Sequence, residues 1–256
     1  MSNNLLSVKS LKKSFGGLKA VDVKTFDINK NQITSLIGPN GAGKTTFFDL
    51  ITRFQNADEG NIFFDGVEVT KMNTYKLARL GMVRTFQLTR VFDRMSVNEN
   101  MQFAGSSTTN EGLINSLIQK KSLKKEEIEL SEKIDNILEL INLKEMKNAY
   151  ARELSGGQKK LLELGRSLMK NPKMLLLDEP LAGVNPKLAD QILEIIFDLS
   201  NKGVNILMVE HNIDAVMKIS ERVVVMAEGQ IISDGKPDVV RSDKKVIEAY
   251  LGVSDE

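Results

Sequence analysis

The apolar pentad Ile33-Thr34-Ser35-Leu36-Ile37 runs straight into Gly38-Pro39-Asn40-Gly41-Ala42-Gly43-Lys44-Thr45-Thr46. Phe47, Leu50, Ile51 and Phe54 then recur at i, i+3, i+4 and i+7. Strand, glycine-rich turn and one-faced helix follow in that order. Few chains can satisfy this order without a covered, mainly parallel sheet. The glycines let consecutive backbone N–H groups face one anion at the positive end of the following helix. Residues 38–45 match the complete phosphate-loop pattern, with the correct flank on each side. In that pattern Lys44 reaches the β- and γ-phosphates, the Thr45 hydroxyl ligates magnesium, and Thr46 adds a contact to the α-phosphate. A bare turn between strand and helix is the alternative, and the full pattern in its expected setting speaks against it.

The rest of the chain supports an α/β class. Residues 5–30 read as short β-segments with turns at Gly16-Gly17 and at 29–31, and residues 61–69 as a hairpin around Asp65-Gly66. From 91 to 150 the character becomes helical and charged. Ser96-Val97-Asn98-Glu99 fits a capping box, and Leu130, Ile134, Ile137, Leu138 and Ile141 mark a buried helix face. The Lys- and Glu-rich run 120–133 reads as a solvated helix face. From 174 strands and helices alternate again. Asn185 caps a helix that has Pro186 at its first position and Leu188, Ile192, Ile195, Ile196 and Leu199 as its stripe. A strand at 204–209, a hairpin around Glu228-Gly229 and a final helix through Val239, Val246, Ile247, Tyr250 and Leu251 complete the reading.

Composition removes several chemistries. With no cysteine and one histidine, disulfides, thiolate sites, cysteine nucleophiles and multi-histidine metal centres are excluded. At 256 residues and 41% hydrophobic content the chain can bury a substantial core. Lys and Arg number 35 and Asp and Glu 34, so a formal charge of +1 offers no global attraction to nucleic acid or acidic lipid. The longest apolar runs, such as residues 223–227, are far shorter than the roughly twenty residues of a membrane span. The start, Met1 to Leu6, lacks the pattern of a signal peptide. A cytoplasmic chain whose membrane partners are separate polypeptides is expected.

Three further places carry chemistry. Asp178 and Glu179 end the apolar run Met174-Leu175-Leu176-Leu177, and neighbouring strand residues point to opposite faces, so the two acids should do different work. Asp178 suits a magnesium shell, while Glu179, where Pro180 begins to turn the chain, could polarise water near the γ-phosphate. Two surface acids at a strand end are the alternative. His211 follows Leu207-Met208-Val209-Glu210, also at a strand end; taken alone, a single histidine is more often structural. Ser155-Gly156-Gly157-Gln158 is a capping box for the helix bearing Leu161, Leu164 and Leu168, and a capped helix amino terminus can also meet an anion.

Taken together, Leu154-Ser155-Gly156-Gly157-Gln158, the phosphate loop, the Asp178-Glu179 pair and His211, in this order, resemble the ATP-binding-cassette (ABC) ATPases along nearly the whole chain. The resemblance implies a P-loop ATPase core with a mainly parallel sheet, an antiparallel β subdomain and an α-helical subdomain. It divides a single domain into 1–90, 91–170, 171–235 and 236–256: β subdomain and phosphate-loop core, helical subdomain, remaining core and C-terminal helix. It implies ATP and Mg²⁺ as ligands, Phe15 stacked on adenine, Gln87 linking metal and attacking water to the partner interface, and His211 as a γ-phosphate switch. Ser155 and Gly157 are implied to reach the γ-phosphate held by a second ABC ATPase subunit, identical or paralogous. An isolated monomer should therefore bind ATP yet hydrolyse it poorly.

Finer features look like the ATPase of branched-chain amino-acid importers: Val83-Arg84-Thr85-Phe86-Gln87, Ala182-Gly183-Val184-Asn185-Pro186, the helical insert and Ala249-Tyr250-Leu251-Gly252. Closely similar patterns occur in urea-importer and lipopolysaccharide-export ATPases. Asn185 departs from the Asp of most ABC members but matches this importer group. Transmembrane permease subunits and, indirectly, a solute-binding protein are the implied partners. A soluble ABC protein acting on nucleic acid would show fused cassettes, a long coiled coil or basic segments, and none is present. A regulator without hydrolysis fits poorly with Lys44, Asp178, Glu179 and His211 all in place.

Overall fold

The computed structural model describes residues 4–85, 91–106 and 120–251. Strands β1 (Asn4–Phe15) and β2 (Leu18–Asn29) form a hairpin turning at Gly16-Gly17. Each is 12 residues long, longer than the short segments expected, because antiparallel pairing from Asn4↔Asn29 to Phe15↔Leu18 satisfies the backbone beyond the apolar positions. Strand β1 also pairs with β4 (Glu59–Phe64), which turns through Asp65 and Gly66 into β5 (Val67–Glu68). Both turn residues have positive φ, 47° and 80°, as a tight hairpin turn requires. The antiparallel sheet has the order β2-β1-β4-β5.

The second sheet holds β3 (Ile33–Ile37), β6 (Met82–Arg84), β7 (Met174–Asp178), β8 (Asn205–Val209), β9 (Arg222–Ala227) and β10 (Gln230–Gly235). Its order is β10-β9-β3-β8-β7-β6. All neighbours are parallel except the β9–β10 hairpin, so the mainly parallel sheet inferred from the alternation is observed. The helices are α1 (Lys44–Ile51), α2 (Thr74–Leu80), α3 (Val97–Gly105), α4 (Lys120–Leu140), α5 (Gly156–Leu168), α6 (Pro186–Asn201), α7 (Ile213–Ile219), α8 (Pro237–Arg241) and α9 (Lys244–Leu251).

Successive side chains of the parallel strands enter two different cores. Leu175, Leu177, Ile206 and Met208 pack with buried residues of α3 to α6. Met174, Leu176, Leu207 and Val209 pack with Phe47, Phe48 and Leu50 of α1 and the inner face of β1, β2 and β4. Phe47 meets Phe26 edge-on, with centroids 5.1 Å apart. Register decides where the loops go. Val209 pairs with Leu36 on one side and Asp178 on the other, so β3, β8 and β7 end side by side and the segments after them share one edge of the sheet.

Both capping boxes form. Ser96 N–H donates to Glu99 Oε2 at 2.7 Å, and Ser155 N–H to Gln158 Oε1 at 2.9 Å, each with the reciprocal bond to the serine hydroxyl. Asn185 caps α6 by accepting from Leu188 N–H at 2.9 Å. Residues 125–129 of the charged run are exposed, as a solvated face requires.

Three details differ from the sequence reading. Phe54 was expected on the buried face of α1, but the helix stops at Ile51, Arg53 takes φ of 62°, and Phe54 is left 51% exposed. The final helix is two helices. Asp243 breaks it by accepting from Lys245 N–H at 3.0 Å and opening a new turn, and Val239 faces outward while Val240 is buried. The strand expected at 204 begins at Asn205, whose side chain bonds Asn31 N–H and Lys173 C=O. Among the described residues no helix is long and apolar enough to cross a membrane.

Candidate nucleotide-binding site

The phosphate loop is shaped by two close backbone approaches. A Cβ at Gly38 would lie 2.0 Å from the Met226 carbonyl oxygen, and one at Gly43, where φ is 95°, would lie 2.3 Å from that of Ala20. Only glycine fits either position. The loop leans on the β9–β10 turn, with Gly229 N–H donating to Ala42 C=O at 3.0 Å. At its end α1 begins with Lys44, whose ammonium donates to the carbonyls of Gly38 at 2.7 Å and Pro39 at 3.0 Å. Burial lowers the Lys44 pKa, and the charge of Glu179 opposes that shift. Phosphate oxygens could replace those two carbonyls as acceptors.

An open cleft of about 820 Å³ lies over the loop. Asn40, Gly41, Ala42, Gly43, Lys44, Thr45 and Thr46 line it together with Phe15, Glu179 and His211. Residues as far apart in the chain as Phe15 and Glu228 thus share one space. Gly38 and Pro39 stay behind it, holding Lys44. Phe15 sits at the hairpin tip, 46% exposed, with the Lys13 ammonium 5.5 Å from its ring centroid. An aromatic face at the mouth of a phosphate site is available to a nucleobase.

The two acids are separated as their spacing implied. Asp178, last in β7, shares the parity of Met174 and Leu176 and turns toward α1, where it is 6% exposed. Glu179 leaves the strand: its φ is 49°, uncommon for a residue with a Cβ. Its N–H still donates to Val209 C=O at 2.9 Å. That turn carries its carboxylate to the cleft, where Oε1 lies 2.9 Å from Nε2 of His211. His211 is thereby joined to an acid in the cleft.

Sequence reasoning missed Glu210 and Lys160. Glu210 is 3% exposed; Oε1 accepts from Leu181 N–H at 2.7 Å and Oε2 from His211 N–H at 3.1 Å. One carboxylate thus ties the segment after Glu179 to the start of the segment bearing His211. The signal was present, since Glu210 closes an apolar run as Asp178 does. Lys160, on α5, donates to the carbonyls of Pro180 and Ala182, linking the 155–158 helix to that same segment. Burial lowers its pKa, opposed by the charges of Glu210, Glu163 and Glu179. No spacing in the sequence pointed to it.

Ser155, Gly156, Gly157 and Gln158 are absent from the residues lining the cleft. Their helix end packs elsewhere: a Cβ at Gly157 would meet Leu188 of α6 at 2.0 Å. Gln87 lies outside the described residues, as do Phe86 and Gly252.

Comparison with known proteins agrees with this geometry. Residues 21–182 match the family model described as ABC transporter, and residues 230–256 match the one described as branched-chain amino acid ATP-binding cassette transporter. A probable branched-chain amino acid transport ATP-binding protein, LivG, of Archaeoglobus fulgidus is 42% identical over 251 residues, covering 98% of this chain and 96% of the relative. The high-affinity branched-chain amino acid transport ATP-binding protein BraF of Pseudomonas aeruginosa is 40% identical over 253 residues, covering 98% and 99%. Among solved structures, an ATP-binding cassette of an ABC transporter in its ADP conformation superimposes with a TM-score of 0.84 at 41% identity, covering 98% of this chain and 100% of that one. A phosphate-loop cleft of this construction and similarity over almost the full length lead to one conclusion: this chain belongs to the ATP-binding-cassette ATPases of ABC transporters.

Proposed function

We propose that this chain is the subunit that hydrolyses ATP to power import of branched-chain amino acids, bound at the cytoplasmic face of the membrane to separate permease subunits. The observation that carries the reading is the single cleft joining residues 40–46 to Glu179 and His211, on a chain similar along its length to branched-chain amino acid transport ATPases. In this reading residues 1–256 are one ATPase domain, with 1–90, 91–170, 171–235 and 236–256 as its successive parts.

The backbone N–H groups at 41–46 and the Lys44 ammonium bind the phosphates, with Thr45 and Thr46 hydroxyls beside them. Phe15 stacks on the base. Magnesium fits the donor set: the Thr45 hydroxyl and the Asp178 carboxylate are hard oxygens, and among the described residues no cluster of three or more His, Asp or Glu competes for an ion. When bound, the metal supplies charge neutralisation at the phosphate oxygens. Gln87 completes that set. Glu179 directs water at the γ-phosphate, and His211, hydrogen-bonded to Glu179, reports whether that phosphate is present.

The remaining donors come from a second ABC ATPase, identical or paralogous, whose Ser155-to-Gln158 segment meets this cleft. The capped end of α5, which is not among the residues lining its own cleft, supports that geometry. The permease contact is supported by a groove of about 480 Å³ whose lining mixes apolar Val83, Phe92, Phe103 and Ala104 with charged Arg84, Glu163, Arg166 and Lys170, and in which Phe103 is 57% exposed. A solute-binding protein acts through the permease and touches no part of this chain. Nucleic acid is not a partner, consistent with the near-zero net charge.

The test is transport by the complete assembly in proteoliposomes with ATP inside the cytoplasmic compartment. ATP-dependent uptake of labelled leucine, isoleucine or valine, lost with Glu179→Gln, is expected. Uptake of urea alone, or uptake that survives Glu179→Gln, would overturn the reading.

A further inference from the structure

Arg84 is a buried cation that the proposed chemistry leaves unused, although its guanidinium holds two carboxylates. It ends β6 on the same face as Met82, the α1 side. Strand β6 runs parallel beside β7, with Arg84 opposite Leu176, so its long side chain reaches forward to Asp178. Nη2 lies 2.7 Å from Asp178 Oδ2, and Nη1 lies 2.5 Å from Asp49 Oδ1 and 3.2 Å from Thr52 Oγ1. Asp49 belongs to α1 and Thr52 follows it directly. The guanidinium carbon is 5.5 Å from the Phe48 ring centroid and 5.2 Å from that of Phe54. The Arg84 side chain is 10% exposed and that of Asp178 only 5%. This also accounts for Phe54, which left the helix face yet remains beside a cation.

The geometry points to Arg84 as the residue that positions Asp178 for the metal, by fastening one carboxylate oxygen to the helix that begins with Lys44 and Thr45. The inference rests on the reading above that Asp178 is the magnesium acid. Its physical basis is the fork of the guanidinium. Two N–H arms hold two carboxylates in fixed directions, which a lysine ammonium cannot reproduce. With Oδ2 occupied by Arg84, Oδ1 is the oxygen left for the metal. The group of Arg84, Asp49 and Asp178 carries one positive and two negative charges, so one negative charge remains to attract a cation. Without Arg84, Asp178 is a buried acid with no counter-ion beside a second acid, and its orientation relative to Thr45 is no longer set.

The experiment is binding of a fluorescent ADP analogue to the full chain, measured in EDTA and across a Mg²⁺ titration, for wild type, Arg84→Lys, Arg84→Met and Asp178→Asn. Metal-free affinity of the Arg84 variants should stay near that of wild type, while the Mg²⁺ concentration giving the half-maximal metal-dependent change rises about 10- to 100-fold. Arg84→Lys preserves charge and bulk, so it keeps the test valid if Arg84→Met does not fold. Adding Arg84→Lys to Asp178→Asn should raise the Mg²⁺ requirement no further. An unchanged Mg²⁺ requirement in Arg84→Lys, with a raised one in Asp178→Asn, overturns the role of Arg84 alone. Unchanged requirements in both overturn the metal role of Asp178 as well. Parallel loss of affinity with and without metal marks Arg84 as a purely structural residue and also overturns the inference.

Discussion

His211 Nε2 lies 2.9 Å from Glu179 Oε1, although 32 residues separate them in the chain. The contact exists because β8 is hydrogen-bonded beside β7 and Glu179 turns out of its strand with a left-handed backbone. Any movement of the imidazole is therefore felt by the acid proposed to direct water.

Glu179→Gln keeps an oxygen within reach of His211 but removes the carboxylate proposed to accept a proton from water. Nucleotide binding should persist while phosphate release falls about 10²- to 10⁴-fold. Single-turnover phosphate release with bound nucleotide checks both halves, and full-rate hydrolysis by this variant would refute the assignment.

Lys44 is lowered from 10.5 by burial, and two consequences have opposite signs. In the proposed site the ammonium binds phosphate, so affinity for nucleotide should fall as pH rises through the depressed value, before an ordinary lysine would titrate. In the window between that value and 10.5 the unfolded chain holds the Lys44 proton and the folded chain does not, so its contribution to stability rises with pH. Binding isotherms and denaturant melts at matched alkaline pH values, on wild type and Lys44→Met, separate the two. Equal pH slopes in both proteins would remove Lys44 as the cause.

Glu210→Ala strips the acceptors from Leu181 N–H and His211 N–H at a carboxylate that is 3% exposed. Stability should fall by about 1–3 kcal/mol for the buried donor left unpaired. Hydrolysis should fall further than nucleotide binding, because the segments bearing Glu179 and His211 lose their common tie. A urea melt together with a kcat-against-KM split tests this; unaltered kcat in a destabilised variant would leave Glu210 as scaffold only.

Two loop glycines should respond unequally to alanine. At Gly38 the added Cβ meets the Met226 carbonyl at 2.0 Å, whereas at Gly41 nothing lies within 4 Å and only the φ of 80° resists. Gly41→Ala should cost about 1–2 kcal/mol of backbone strain. Gly38→Ala should cost more and weaken nucleotide binding. Thermal melts and nucleotide titrations of both variants compare them directly; equal effects would contradict the packing described.

Local chemistry was legible wherever neighbours in sequence are neighbours in space. The phosphate loop, both capping boxes, Asn185 at the start of α6 and the turns at Asp65-Gly66 and Glu228-Gly229 depend on contacts a few residues long. Phe54 was misread because a helical period of four apolar residues does not reveal where the helix stops. Arg53, in a left-handed turn, ends it early. The last helix was read as one because Asp243 looks like any surface acid until its carboxylate is seen capping a new turn.

By itself the sequence determined the alternation of strands and helices, the glycine loop between them and which acids end apolar runs, because periodicity and turn chemistry act over one or two turns of backbone. Only the tertiary structure decided which strands lie side by side. Parallel pairing brings Leu36, Val209 and Asp178 level across the sheet, and no local pattern encodes a register between segments that lie tens to more than a hundred residues apart. That register joins Glu179 to His211, sets Glu210 beneath both, and lets Arg84 hold Asp178 against α1, since long-range sheet pairing is fixed by the packing of two cores rather than by any one segment.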